Sequence, residues 1–406
     1  MWRLGFFFHD MAFGLLTVFI PLYVVTFQDT SLLGGPLMTL GIMTSIAIFC
    51  SIPASYVWGQ MCDKTRRYKV FILFSFGSMA LIMFLMTLPF AQSLFLFIAL
   101  YVVMQVVHMA HEPPKNVLIT EHYSRSDWER SFGLYEGITE IGFIIGLASG
   151  MVLFASTLTF SVLSTYAFYL CSGLSVVAFV LVVLLVADPL MIFERRLVSI
   201  ERKLDFSYRG FEGSAKLMDG LRWNGSLKRD SFLGFALAIV LFSLASSILF
   251  TPLPLYLKYL FGGQQQFVYL AFILNSLGAT VGYFLIRHKA RSIDIRKQMP
   301  RFILLRSLFV FALCGVVMFM FFPTVLTCVL LVCIGFAFAM FYIMMLALSM
   351  EIIPQGKSGL FDGMVGLGTG TGAFLGPFFA SMSYHLTFFI AAVIFFSAFL
   401  VIKSFR

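Results

Sequence analysis

Gly133-Leu134-Tyr135-Glu136-Gly137 and Gly359-Leu360-Phe361-Asp362-Gly363 repeat one pattern 226 residues apart. The same offset carries Gly142, Gly146 and Gly150 onto Gly368, Gly372 and Gly376. Glycines, a leucine, an aromatic and an acid thus keep register across half the chain. Glycine at every fourth position leaves a smooth stripe on one helix face, along which two membrane helices can approach backbone to backbone. The two stretches read as helices in equivalent places of a duplicated fold.

The composition around them settles the solvent. Of 406 residues, 60% are hydrophobic, 12% are charged and 50 are Phe, with a mean hydropathy of +0.96. A soluble domain carries roughly 25% charged residues, so the balance argues against a soluble enzyme, a secreted domain and a nucleic-acid binder. Twelve apolar runs can be parsed, each near the ~20 residues a span needs: 4–27, 37–58, 70–88, 94–118, 131–154, 158–187, 232–260, 267–286, 302–322, 324–350, 359–382 and 386–402. The chain reads as an all-α membrane protein, twelve transmembrane helices in two six-helix pseudo-symmetric halves. Residues 1–187 form the first bundle, 188–230 a central loop and 231–406 the second bundle. The first run resembles a secretory leader at Arg3 but continues past Val25 with no small-x-small cleavage site, so it reads as a retained helix. Duplicated six-helix halves are a mark of transporters that rock about a central site.

All but Lys258 of the 28 Lys and Arg fall on one side of that parse. The positive-inside rule then places both termini and the central loop in the cytoplasm of a multi-pass plasma-membrane protein. The net charge of +9 is a topology signal and an attraction to anionic lipids at the cytoplasmic face; no nucleic-acid partner is expected. The six cysteines read as small hydrophobes, and neither they nor the histidines show a metal-ligand spacing. No Gly-rich nucleotide loop is present. No metal or other cofactor is expected.

Gly59-Gln60-Met61-Cys62-Asp63-Lys64-Thr65-Arg66-Arg67-Tyr68-Lys69 resembles the signature loop between the second and third helices of the major facilitator superfamily, and the resemblance extends over essentially the whole chain. Gly59, Asp63, Lys64 and Arg67 match the motif. Arg66 stands where the motif has Gly, and Tyr68 where it often has a basic residue. In the family this loop latches the two halves on the cytoplasmic side, which implies that role for Gly59, Asp63, Lys64 and Arg67, with Asp362 neutralising the same region. Gly133, Gly142, Gly146 and Gly150 fit the glycine spacing of the family's antiporter motif, with Leu147 in place of its proline and Met151 in place of its last glycine. That spacing puts export ahead of uptake.

Acids inside apolar runs are costly, at least about 2.5 kcal/mol each on the lenient insertion scale, so they face protein or a wet cavity. Asp10, Glu112, Glu136 and Glu140 lie there, with His9, His108 and His111. Glu136 and Glu140 share a helix face at i,i+4, as do His108 and Glu112. An acid beside a His in a low-dielectric site suits proton exchange. The proton-coupling candidates are Glu140, as the deepest, then Glu112, Asp10, His108 and Glu136, with a cytoplasmic ion-pair network as the alternative role for Glu136. Pro113 and Pro114 are expected to break the helix after Glu112.

No Lys or Arg is read at mid-membrane, which disfavours organic anions as cargo. Family resemblance places the cavity among the first, fourth, seventh and tenth spans. Phe13, Thr17, Gln105, Ser243, Ser247, Asn275, Met340 and Tyr342 are the lining candidates. The leading expectation is a secondary active transporter, proton-coupled and working by alternating access, of a small neutral or cationic and lipophilic solute. Its partners are that solute, protons and membrane lipids, and it functions as a monomer. Proton-coupled uptake of a sugar-like solute is the alternative, and a non-transporting receptor or scaffold is the alternative of another class.

Overall fold

The structure, a computed structural model, describes residues 3–122, 128–156, 159–187, 232–289, 295–319, 322–352 and 359–404. The expected central loop, 188–230, lies outside these residues, as does Lys357. Within them the chain forms α1 (Arg3–Val24), α2 (Pro36–Thr65), α3 (Tyr68–Leu85), α4 (Leu94–His108), α5 (Glu112–His122), α6 (Trp128–Phe154) and α7 (Phe160–Leu185). After the central segment come α8 (Phe232–Phe250), α9 (Leu253–Leu260), α10 (Gln265–Lys289), α11 (Ile295–Phe319), α12 (Pro323–Ile352), α13 (Gly359–Met382) and α14 (Tyr384–Ser404).

Eleven segments among the described residues are long and apolar enough to cross a membrane. Two of these join helix pairs: α4 with α5 over Leu94–Ile119, and α8 with α9 over Gly234–Leu260. The 24-residue α13 is not in this set, because its glycines add length without hydropathy. Large apolar side chains face outward, Leu184, Phe319 and Val281 among them, as lipid rather than water requires. The chain is an all-α, multi-pass membrane protein.

The helix contacts are those of a two-domain bundle. In the first half α1 packs on α6 and α7, α3 on α7 and α4, and α2 on α4. In the second, α8 packs on α13 and α14, α11 on α14 and α12, and α10 on α12. Two large contacts cross between them, α2 with α13 and α6 with α10.

The glycine repeat explains part of this. A Cβ at Gly142 or Gly146 would overlap the carbonyls of Phe7 and Met11 on α1; at Gly368 or Gly372 it would overlap those of Val240 and Leu244 on α8. The same two-glycine seat therefore joins α6 to α1 and α13 to α8. Gly137 and Gly363 face across the seam instead, toward Phe284 of α10 and Ile52 of α2.

Two local expectations change. The Gly59–Lys69 stretch is mostly helix, because α2 runs to Thr65 and α3 starts at Tyr68. The turn is made by Arg66, at φ 56°, whose N–H closes on the Cys62 carbonyl at 2.8 Å. Arg66 thus takes the left-handed conformation that the motif reserves for glycine. The helix break near Glu112 precedes the prolines: α4 ends at His108, a 3-10 turn covers Met109–His111, and α5 begins at Glu112. Pro113 and Pro114 sit in the first turn of α5, where a missing N–H has no helical partner to lose.

Candidate functional site

A cavity of about 530 Å³ opens between the two halves. Phe13 and Thr17 of α1, Tyr101 and Gln105 of α4, and Glu140 and Phe143 of α6 line one wall. Ser243, Ser246 and Ser247 of α8, Asn275 and Ser276 of α10, Arg306 of α11 and Phe338 of α12 line the other. Of the eight lining candidates, six are here; Met340 and Tyr342 stand outside the lining. Met340 is buried, while Tyr342 stacks on Phe338 at 5.4 Å and sits within electrostatic reach of Glu136 and Lys115.

The polar groups of this wall are unevenly satisfied. The Thr17 hydroxyl donates to the Phe13 carbonyl at 2.8 Å and that of Ser246 to the Phe242 carbonyl at 2.8 Å. Their oxygens keep lone pairs but have no proton left to give. Among the described residues Asn275 Oδ1, which is buried, has no partner, and neither have Nε and Nη1 of Arg306. A buried polar group without a partner is costly, and at a cavity wall a ligand relieves that cost.

Arg306 overturns the expectation that no cation reaches mid-membrane. It is 1% exposed, its guanidinium carbon 4.7–4.9 Å from the ring centres of Phe338, Phe395 and Phe242 and 5.7 Å from that of Phe250. Among the described residues no acid forms an ion pair with it. Arg306 lies inside the apolar span Gln298–Phe319 and on the cavity wall.

The other ionisable candidates gather elsewhere. Lys115, buried in α5, meets Glu112 Oε2 at 2.5 Å and lies over the Tyr135 ring at 5.6 Å. Asp10 lies within reach of Glu136, Lys115 and Glu112, and Asp362 within reach of Glu112 and Lys115. Glu112 pairs with this ammonium directly, Asp10, Glu136 and Asp362 lie within its electrostatic reach, and Glu136 Oε1 has no partner among the described residues. His108 faces His9, Nδ1 to Nε2 at 3.3 Å. Of the latch candidates, Gly59 is buried at the end of α2, while Lys64 and Arg67 are exposed. The Asp63 side chain lies outside the described residues.

A helical bundle of two domains with a solute-sized, partly polar cavity at their seam defines a membrane transporter rather than an enzyme. The chain belongs to the Major Facilitator Superfamily, whose family model matches residues 4–361. It is similar to the Multidrug resistance protein MdtG of Serratia proteamaculans (strain 568), 31% identical over 189 residues, 46% of this chain. That match spans 43% of MdtG, less than half its length. Among solved structures, the chain resembles a D-xylose-proton symporter, with a TM-score of 0.73 and 12% identity over 99% of this chain and 97% of that one. It also resembles the xylose transporter XylE from E. coli in a partially occluded inward-open conformation, with a TM-score of 0.70 and 13% identity over 99% and 98%. The nucleoside transporter NupG gives a TM-score of 0.67 and 15% identity over 100% and 98%. At these identities the structures speak to the fold. The family works by alternating access, moving small molecules across a lipid membrane.

Proposed function

We propose that the chain is a proton-coupled exporter of a small amphiphilic organic solute. The observation that carries this reading is the cavity at the seam, whose wall combines Glu140 from one half with Asn275 and Arg306 from the other. Glu140 is the coupling group: it faces the cavity and the Ser276 hydroxyl, so solute and proton compete for one site across the α6–α10 seam. Asp10, Glu112, Glu136 and Asp362 form the ion-pair network with Lys115, of which Glu136 extends the proton path from Glu140 by one helical turn.

The solute is neutral overall. Hydroxyl oxygens and Glu140 accept from its donors, Arg306 donates to its acceptors, and Phe13, Phe143 and Phe338 cover its apolar part. Export is supported by the glycine spacing of α6 and by the name of the MdtG relative. Uptake of a sugar-like solute is supported by the hydroxyl and amide groups of the same wall.

The arrangement behind it has twelve spans, with α13 as the twelfth, in halves 1–187 and 231–406. Both termini are cytoplasmic in the plasma membrane and anionic lipid meets the basic end. The Gly59–Arg67 turn acts as latch, and a single chain is the working unit. The correspondence of helix contacts between halves supports this arrangement.

The test is internal pH in proteoliposomes of purified protein, challenged with sugars, amino acids and lipophilic neutral or cationic compounds. The expected result is a pH change with one solute class that is absent in Glu140→Gln. No pH change with any solute that binds would sink proton coupling, and no binding by any class would favour a receptor or scaffold.

A further inference from the structure

Sequence spacing offers no metal site, because His9 lies 99 residues from His108. The fold supplies one. His9 on α1, His108 at the end of α4 and His111 in the 3-10 turn place their ring nitrogens no more than 4.8 Å from one another. His9 Nε2 is 3.3 Å from His108 Nδ1, and His111 Nε2 is 3.4 Å from Glu112 Oε1. In a tetrahedral site with bonds of about 2.0–2.1 Å, neighbouring ligand atoms stand roughly 3.3 Å apart. Two edges of such a site, His9–His108 and His111–Glu112, already have this length, and a bound ion would draw the two pairs together from imidazole separations of up to 4.8 Å.

The hydrogen bonds around the cluster orient it. His111 Nδ1 lies 2.6 Å from the His108 carbonyl. Since that oxygen can only accept, Nδ1 carries the proton and Nε2 presents a lone pair. That lone pair faces a carboxylate oxygen, an arrangement of two acceptors that a cation between them resolves. A backbone carbonyl fixing the tautomer through the other ring nitrogen is the usual outer support of a metal-bound imidazole. Lys115 holds the second oxygen of Glu112, which leaves Oε1 for the site. His9 Nδ1 is buried without a partner among the described residues, and its Nε2 shares a proton with His108 Nδ1 that a metal ion would displace.

Aromatic rings wall the cluster. His9 stacks on Phe76 at 4.1 Å and His108 meets Phe13 at 4.2 Å. Phe13 separates the cluster from the solute cavity, while Glu112, 23% exposed, forms its open side. Three imidazoles and one carboxylate suit a borderline divalent ion such as Zn²⁺ over Mg²⁺ or Ca²⁺. We propose that His9, His108, His111 and Glu112 form a transition-metal site, separate from the solute cavity, that ties α1 to the break between α4 and α5.

Cobalt reports this directly. Metal-stripped full-length protein in detergent should bind one Co²⁺ per chain with the visible bands of four-coordinate cobalt, displaced by one equivalent of Zn²⁺. His9→Gln and His108→Gln should each weaken binding by more than about tenfold, while His288→Gln and His385→Gln, on exposed side chains, should not. A second measurement needs no variant: Zn²⁺ should protect His108 and His111 of the unaltered protein from diethylpyrocarbonate, read by mass spectrometry. Absence of saturable Co²⁺ binding, equal affinity in all four variants, or unprotected His108 and His111 would each overturn the proposal. Those results would leave shared protons as what holds the cluster together.

Discussion

Arg306 joins two properties that oppose each other energetically: a permanent charge and almost complete burial among phenylalanine rings. Its desolvation costs several kcal/mol, against cation–π contacts worth up to about 2 kcal/mol where desolvated, and among the described residues no carboxylate makes up the difference. The proposed role in holding the solute would offset that cost. Arg306→Met keeps an unbranched apolar stem and removes the charge from the ring box, so the folded yield and melting temperature in detergent should hold or rise while the KM for transport increases at least about tenfold. A fall in melting temperature with unchanged KM would make Arg306 structural. Arg66 poses a simpler case, since its left-handed φ of 56° costs about 1–2 kcal/mol in a residue with a Cβ. Arg66→Gly removes that strain, offset by the freedom glycine gains when unfolded, and should raise the unfolding free energy by up to about 1 kcal/mol. A drop in stability would mean that the Arg66 side chain makes a contact worth more than the strain. The motif comparison located this residue as a departure from glycine, though not that the backbone would keep the conformation regardless. Arg306 was illegible for a different reason. Basic residues from Arg296 to Arg301 looked like a loop, yet α11 begins at Ile295. Arg306 lies eight residues, about 12 Å, into the apolar span Gln298–Phe319.

The sequence made the helices legible and left their ends and partners less so. Apolar runs located all eleven segments that are long and apolar enough to cross a membrane among the described residues, but hydropathy stops where a helix leaves the bilayer and the helix need not. Hence α2 runs beyond Trp58 to Thr65. The glycine repeat announced that α6 and α13 are equivalent, while the helices they would meet came only from the fold. Where a glycine faces a backbone carbonyl, a methyl group has nowhere to go. Gly146→Ala against Met11 and Gly372→Ala against Leu244 should therefore destabilise by similar amounts, about 1–3 kcal/mol each, measured by thermal unfolding in detergent. Gly173 in α7 has no neighbour within 4 Å of a built Cβ, so Gly173→Ala should be neutral or gain up to about 1 kcal/mol from the helix interior. A large loss at Gly146 with none at Gly372 would show that the repeated pattern does not carry equivalent packing.

For the molecule as a whole, the two crossing contacts decide what motion is available. The α2–α13 seam is closely packed between Gly41 and Ile52. Gly41 lies against Pro377, Ser45 donates to the Gly370 carbonyl at 2.9 Å, and Ile52 covers Gly366. The α6–α10 seam carries the stack of Phe154 on Tyr269 at 5.6 Å near its matching end. Smooth glycine faces let such seams slide or part, whereas interlocked side chains resist. Alternating access requires that each end of the seam open in turn. A Cβ built at Gly41 lies 3.1 Å from that of Pro377, close to the ~3.5–4.5 Å of a disulfide. The pair Gly41→Cys with Pro377→Cys should therefore cross-link under mild oxidation with little backbone adjustment. The cross-link holds that end shut, so transport in proteoliposomes should cease, return with reductant, and persist in each single variant. Solute binding from the opposite end should survive, since the cavity wall formed by Glu140, Asn275 and Arg306 is untouched. Undiminished transport by the fully cross-linked protein would show that the halves do not part at this end. The proposed coupling of Glu140 to solute release would then have to work through a motion inside one half, along glycine-seated contacts such as α6 on α1 or α10 on α12, the latter seated on Gly278 and Gly335.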